Sequence, residues 1–241
     1  MGENIIGEIS SSIEKEIVES KNQLRNRFPE VLVTLFALVV DVVLLCLGWC
    51  NILTFSLIIF GALWNFFTKA NKLFACIVAF AVCTIFAVIS IRLNMYGSAF
   101  LHICFYLPTQ LIYFYESQKV EDVSIKYDKQ LTRAGTIGVV ISVWAVALCL
   151  AFVLYEVGEP YYIIDSVSVS LLALSVFLSN GQYKEYWFAR IVACGVSSIV
   201  WIYIAIDTTI TNGSLVLALL FVMYTVMDTI HYINWLKNKE R

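Results

Sequence analysis

The chain has 241 residues, of which 60% are hydrophobic and only 14% carry a charge. Soluble domains carry a charge on about a quarter of their residues, so this composition and the mean hydropathy of +0.81 exclude an ordinary soluble protein. The net charge of −2 excludes the broad basic surface that nucleic-acid binding requires.

Residues 1–30 form the first predicted element. Isoleucines recur in it at helical spacing between charged residues, as in Ile5, Ile9 and Ile13. We expect a cytoplasmic amphipathic segment that lies along the membrane surface or against a neighbouring subunit. It has no apolar core and no cleavage site of the kind found in a secretory signal.

Eight apolar runs follow, most of them long enough for a membrane-spanning helix. The competing interpretation is seven spans, in which one long bent helix covers residues 31–68. The eight predicted spans are 31–50, 54–68, 73–91, 98–115, 135–155, 160–179, 186–206 and 214–235.

The distribution of basic residues favours eight spans. With eight spans, fourteen of the sixteen Lys and Arg residues fall on one side, Arg92 is alone on the other, and Arg190 lies within a span. Short basic loops mark the cytoplasmic side, so both termini are expected in the cytoplasm of a bacterial inner (plasma) membrane. Seven spans would move Lys15, Lys21 and the two arginines that follow them to the other side, and the asymmetry would weaken.

An internal repeat organises these spans. Residues 73–82 and 187–196 are identical at six of ten positions, and Gly97-Ser98 then aligns with Gly213-Ser214. The pattern predicts an all-α integral membrane fold with two parallel three-helix repeats joined by a linker helix, a SWEET-like 3+1+3 arrangement. The predicted parts are a segment at 1–30, an extra peripheral helix at 31–51, repeat 1 at 52–115, a cytoplasmic loop at 116–134, the linker helix at 135–157, repeat 2 at 158–236 and a cytoplasmic tail at 237–241.

Polar and aromatic residues share one stripe on each of spans four, seven and eight. Such side chains are costly in hydrocarbon unless they face a cavity or a partner, and together they suit a polar solute that contains a ring. We expect Gln110 to hydrogen-bond the solute, and Trp187 and Tyr224 to stack on its ring. The predicted substrate-binding residues are Tyr106, Thr109, Gln110, Tyr113, Trp187, Arg190, Tyr224 and Asp228.

Alternative roles remain open for several of these residues. Trp187 could anchor the membrane interface, Arg190 could extend to the cytoplasmic side, and Arg190 and Asp228 could form a purely structural ion pair. Pro108 is expected to kink span four. His102 and His231 lack acidic or Cys partners at metal-ligand spacing, so we predict no metal and no cofactor.

Three segments resemble the PnuC-type nicotinamide riboside transporters. They are Phe105–Gln110 with its Pro-x-Gln sequence, Tyr183–Trp187 in a region that begins at Asp165, and Tyr232–Lys237. The resemblance covers about residues 55–237 and implies a transporter with a 3+1+3 arrangement. It also implies uptake by facilitated diffusion, with the solute trapped by phosphorylation that another, cytoplasmic protein performs.

The chain departs from this family pattern at three positions. Arg190 stands where a second Trp is typical, Cys194 where an Asn is expected and Tyr113 where a Gly usually lies. All three fall on the predicted cavity stripes, so the solute is expected to be nicotinamide riboside or a related vitamin precursor such as thiamine or riboflavin.

Other functions stay open at this point. One is proton-coupled uptake through Asp228, and another is a membrane-embedded binding subunit of an energised transporter. An integral-membrane enzyme would need clustered acids, bases or metal ligands, which the sequence lacks, so we predict a protein that is not an enzyme. The expected partners are a small-molecule substrate, the lipid bilayer and a homo-oligomer, with no nucleic acid.

Overall fold

The computed structural model describes residues 28–67, 72–119, 129–208 and 213–239, and within them the chain is almost entirely helical. Residues 1–27 of the predicted amphipathic segment and most of the predicted cytoplasmic loop lie outside these residues. The helices are α1 (Phe28–Cys46), α2 (Ile52–Phe67), α3 (Lys72–Arg92), α4 (Tyr96–Leu101), a π-helical turn (His102–Tyr106), α5 (Leu107–Lys119), α6 (Arg133–Val157), α7 (Tyr162–Asn180), α8 (Tyr186–Asp207) and α9 (Ser214–Lys239).

Six of the described helices are long and apolar enough to cross a membrane: α1, α3, α6, α7, α8 and α9. Helix α2 is shorter, and its apolar part covers Ile52–Trp64. Helices α4 and α5 continue one another through the π-helical turn. The predicted all-helical membrane architecture is therefore confirmed, whereas the count of eight spans remains a prediction.

The π-helical turn lies immediately before Pro108. Proline has no N–H to donate to the carbonyl four residues earlier, and its ring crowds that carbonyl. The helix widens at this point, and the Leu107 N–H bonds to the His102 carbonyl, a five-residue step typical of π-bulges. Such turns occur frequently at functional sites, and this one places His102 and Tyr106 in the interior.

Neighbouring helices in the chain pack side by side: α2 on α3, α6 on α7, α7 on α8 and α8 on α9. Two further contacts close the bundle, because α4 packs on α7 and α2 packs on α9. The largest side chains of the core, including Trp201, Phe86 and Leu57, are fully buried. Only 11% of the apolar stretch of α6 and 17% of that of α1 is buried inside the protein. Both helices therefore lie mainly at the surface of the bundle.

Helix directions define two ends of the bundle. We call the end at which α4, α7 and α9 begin the outer end, and the opposite end, at which α5 and α9 finish, the inner end. At the outer end the backbone approaches closely at two glycines. A Cβ atom on Gly97 would lie 2.6 Å from Asp165 Oδ2, and one on Gly213, where φ is +78°, would collide with Thr54.

Candidate functional site

A cavity of about 230 Å³ lies among the helices and reaches the inner end. A narrow extension of about 30 Å³ continues it toward Phe86 and His102. The two parts share five lining residues and therefore form one path, which is narrow at its deep end. The shared residues are Trp64, Tyr106, Gln110, Arg190 and Tyr224.

The structure brings most of the predicted site residues together. Trp187 stands apart, because its ring packs against those of Tyr186 and His231 and lies outside the two described linings. Tyr113 belongs to α5, and its side chain lies outside the described part of the structure. Six of the eight predicted residues line the cavity: Tyr106, Thr109, Gln110, Arg190, Tyr224 and Asp228.

The deep end of the cavity is aromatic. The rings of Phe86 and His102 are stacked with their centroids 3.8 Å apart, and His102 also stacks on Tyr106 at 5.1 Å. Phe86 meets Trp201 and Phe221 edge to face, each at 5.7 Å. His102 Nδ1 donates a hydrogen bond of 2.8 Å to the Ser98 carbonyl, since a carbonyl oxygen can only accept. These rings fill most of the deep end and leave only the narrow extension of about 30 Å³.

The middle of the cavity holds an ion pair. Arg190 Nε lies 3.2 Å from Asp228 Oδ2, and the two side chains are 14% and 13% exposed. Cys194 Sγ lies 3.8 Å from the same carboxylate oxygen. A guanidinium carries five N–H donors, so the contact through Nε leaves the terminal NH₂ groups for further partners.

Two polar side chains of the cavity wall are available to hydrogen-bond a solute. The Tyr224 hydroxyl is buried and makes no hydrogen bond within the described residues, and a buried polar atom without a partner is rare in native structures. Gln110 also lines both parts of the cavity. The Thr109 hydroxyl is engaged differently, because it donates to the Phe105 carbonyl at 2.7 Å.

Helix α1 reaches the inner mouth of the cavity. Glu30 Oε1 accepts a hydrogen bond of 2.9 Å from His231 Nε2, and both residues line the cavity. Most of the α1 surface is exposed on the bundle, whereas its first turn contacts α9. Trp64, Phe86 and Phe221 also line the cavity, and they were not predicted because they lie among apolar residues without a distinguishing pattern.

We expect the Glu30–His231 contact to stabilise the packing of α1 on α9. In a double-mutant cycle of Glu30→Ala and His231→Ala, the free energy of unfolding should show a coupling of about 1 kcal/mol, typical of a hydrogen bond that is partly exposed. Thr34→Ala is the control one turn further along α1, and it should not couple to His231→Ala. Additive effects of Glu30→Ala and His231→Ala would contradict the contact.

Comparison with known proteins gives three consistent matches. A family model described as nicotinamide mononucleotide transporter matches residues 51–237. A nicotinamide riboside transporter PnuC from Neisseria mucosa is 26% identical over 167 residues, which cover 66% of this chain and 62% of the relative. The crystal structure of the vitamin B3 transporter PnuC has a similar fold, with a TM-score of 0.68 and 22% identity over 87% of this chain and 91% of that one.

Proposed function

We propose that this chain, which belongs to the nicotinamide mononucleotide transporter family, imports nicotinamide riboside or a closely related vitamin precursor. Transport is by facilitated diffusion, and phosphorylation by another, cytoplasmic protein traps the solute. As a member of this family the chain is a multi-pass membrane protein. Its relative is named as a transporter of the riboside.

The observation that carries this proposal is the cavity with aromatic side chains and unused hydrogen-bonding groups along its wall. The wider part, of about 230 Å³, has room for a pyridine ring beside Trp64, Tyr106 and Tyr224. Ribose hydroxyls would then bond to Gln110 and to the Tyr224 hydroxyl, which has no partner within the described residues.

The charges of the wall favour the riboside over its phosphorylated form. Arg190 already contacts the Asp228 carboxylate at 3.2 Å. A phosphate group would have to displace or share that partner, and it would also lie near the Glu30 carboxylate at the mouth. A pyridinium riboside carries a single positive charge on the ring and no phosphate, so it enters without this competition.

The proposed topology has eight spans with both termini in the cytoplasm of the bacterial inner membrane. Helix α2 and the continuous helix from Tyr96 to Lys119 would add two spans to the six long apolar helices. The inner end of the bundle is then the cytoplasmic side, because it carries the predicted basic loops. The cavity accordingly opens toward the cytoplasm.

Pairs of contacts at the outer end support the proposed repeats of α2, α3, α4–α5 and α7, α8, α9. Gly97, which opens α4, packs on Asp165 in the first turn of α7. Gly213, which precedes α9, packs on Thr54 in the first turn of α2. Each repeat thus begins its last helix against the first helix of the other, as a two-fold axis along the membrane normal requires.

Alternating access of the two repeats then moves the solute. In the conformation described here the path is open at the inner end, whereas the rings of Phe86, Trp201 and Phe221 block it at depth. Rocking of one repeat against the other would open the outer end and close the inner one. The site would stay near the middle of the membrane throughout.

Ligand binding by the purified protein tests the proposal. Nicotinamide riboside should raise the melting temperature, and Gln110→Ala should weaken binding and uptake at least about tenfold, because a solute hydrogen bond is lost. Gln130→Ala, at an exposed position outside the cavity, is the matched control. Nicotinamide mononucleotide, thiamine, riboflavin and nucleosides complete the ligand panel, and stabilisation by none of these compounds would refute the function.

A further inference from the structure

Two buried carboxyl groups hold the outer end of the bundle. Glu159, in the turn between α6 and α7, is 2% exposed, and Asp165 is fully buried. Glu159 Oε2 accepts hydrogen bonds from the N–H groups of Tyr96 at 2.9 Å and Gly97 at 3.3 Å. Asp165 accepts from the Ser98 N–H at 2.9 Å and from the Ser98 hydroxyl.

These four bonds satisfy the start of α4. The first N–H groups of a helix have no partners within it, and they carry the positive end of the helix dipole. A carboxyl oxygen accepts hydrogen bonds from such groups, and a protonated carboxyl group keeps an oxygen that can do so. The linker turn and α7 therefore fix α4 from outside its own repeat, through Glu159 and Asp165 respectively.

The same contacts extend to the solute cavity. The Ser98 carbonyl accepts the hydrogen bond of His102 Nδ1 at 2.8 Å. The His102 ring stacks on Phe86 and Tyr106, and all three rings line the cavity. A displacement of Ser98 would thus move the closed end of the cavity.

The contact related by the proposed two-fold axis is of a different kind. There Gly213 packs on Thr54, a neutral residue, whereas Gly97 packs on Asp165. The Ser214 hydroxyl is buried and has no hydrogen-bond partner within the described residues. The outer end is therefore held by hydrogen-bonded carboxyl groups on one side of the axis and by apolar contact on the other.

We propose that Glu159 and Asp165 form a latch on the start of α4, and that release of this latch opens the solute path at the outer end. Both are positioning residues, which act on the cavity through Ser98 and His102. The inference rests on the alternating access proposed above, and it identifies the contacts at the start of α4 as those that break when the outer end opens.

The latch is expected to respond to pH at the outer side. Burial and the neighbouring Asp165 carboxylate raise the pKa of Glu159 well above its usual value. Among the described residues, Asp165 is the charged group that acts on Glu159. Helix α4 presents backbone N–H groups to the Glu159 side chain, and the Leu154 carbonyl of α6 accepts a hydrogen bond from the Glu159 N–H. Protonated Glu159 therefore fits the closed state, so the latch is strongest below this raised pKa and weakens as the pH rises through it.

Sided labelling of a cavity cysteine tests the latch without a substrate. Cys194 lines the cavity, and the other six cysteines are replaced by serine. A membrane-impermeant thiol reagent is added to right-side-out vesicles and, separately, to inverted vesicles. In Asp165→Ala, Glu159→Ala and Ser98→Ala, labelling of Cys194 from the outer side should rise at least about tenfold, because each change removes a hydrogen bond that holds the start of α4.

Two matched controls should label as the parent protein does. Ser214→Ala removes the symmetry-related hydroxyl that has no partner, and Glu156→Gln removes an exposed carboxylate close to the latch. In the parent protein, the ratio of outer to inner labelling, in which the pH dependence of the thiol itself cancels, should increase between about pH 6 and about pH 9. Glu159→Gln, which keeps a neutral acceptor at this position, should abolish the pH dependence of this ratio. A general loss of packing would raise labelling from both sides without a pH profile.

Unchanged outer labelling in Glu159→Ala, Ser98→Ala and Asp165→Ala would overturn the latch, even if riboside uptake is found. Should Asp165→Ala fail to fold, the other two variants decide the question. Conversely, a parent protein that binds no vitamin precursor but shows the sided labelling would refute the proposed function and keep the latch.

Discussion

Replacing Arg190 by alanine is expected to abolish uptake and to lower the free energy of unfolding by about 3–5 kcal/mol. The substitution leaves Asp228 in a site where it is only 13% exposed and has lost the guanidinium at 3.2 Å. An uncompensated charge in such a place costs more than the original pair contributed. Asp228→Ala should have an effect of similar size, because it strands Arg190. Uptake in vesicles and equilibrium unfolding measure the two effects.

The double variant separates stability from transport. Arg190→Leu with Asp228→Leu removes both charges, and most of the lost stability should return, since an apolar pair often replaces a buried ion pair without cost. Uptake should stay absent if the pair contacts the solute. Arg92→Ala, at an exposed position at the end of α3, is the control and should change neither quantity. Full uptake by the double variant would assign the pair a structural role only.

Much of the candidate site could be predicted because helical spacing determines which residues share a face. Tyr106, Gln110, Arg190 and Tyr224 were identified from polar and aromatic stripes, and the structure places all four on one cavity. Trp187 belongs to the same stripe as Arg190, yet its ring packs against His231 at 6.2 Å. A stripe gives the direction of a side chain, but not whether another side chain lies between it and the cavity.

Contacts between distant parts of the chain could not be predicted from the sequence. The bond between Glu30 and His231 joins residues 201 positions apart, and no local pattern pairs them. Glu159 and Asp165 contact Tyr96, Gly97 and Ser98 across more than sixty positions. In the sequence Asp165 was visible as the start of a region that resembles the family, but without its contact partners, and Glu159 lay between two predicted spans.

The fold was predictable where hydropathy decides it. Long apolar runs in a chain with few charges leave helices as the structure that satisfies every backbone group in a membrane, and the predicted resemblance to the PnuC-type family is confirmed. Proline at position 108 predicted a disturbance of span four, but a kink and a π-helical turn are both possible outcomes. The choice depends on the packing of His102 and Tyr106 in the interior, which follows from the tertiary structure.

Two departures from the family pattern meet in space. Arg190 and Cys194 stand where a Trp and an Asn are typical, and both contact Oδ2 of Asp228. An Arg at this depth requires a carboxylate partner, so the two changes and Asp228 form one unit. This unit lies beside the shared wall of the cavity, and we expect it to set the difference in solute preference between this chain and its relatives.

Gly97→Ala is expected to destabilise the protein by about 3 kcal/mol, from overpacking and from weakened hydrogen bonds to a carboxylate. The new Cβ atom would lie 2.6 Å from Asp165 Oδ2 and 2.9 Å from Leu154 Cδ1. Asp165 has a short side chain that is fully buried and bonded to Ser98, so it has no room to yield. Thermal unfolding in detergent measures the loss.

Gly195→Ala is the matched control, because a Cβ atom there would meet nothing within 4 Å. Alanine is favoured over glycine inside a helix by up to about 1 kcal/mol, so this substitution should leave stability unchanged or raise it. The two glycines thus differ in the sign of the expected effect, although both lie within helices. Equal stability of the two variants would show that α4 and α7 are not in close contact at Gly97, and it would weaken the latch and the proposed two-fold relation together.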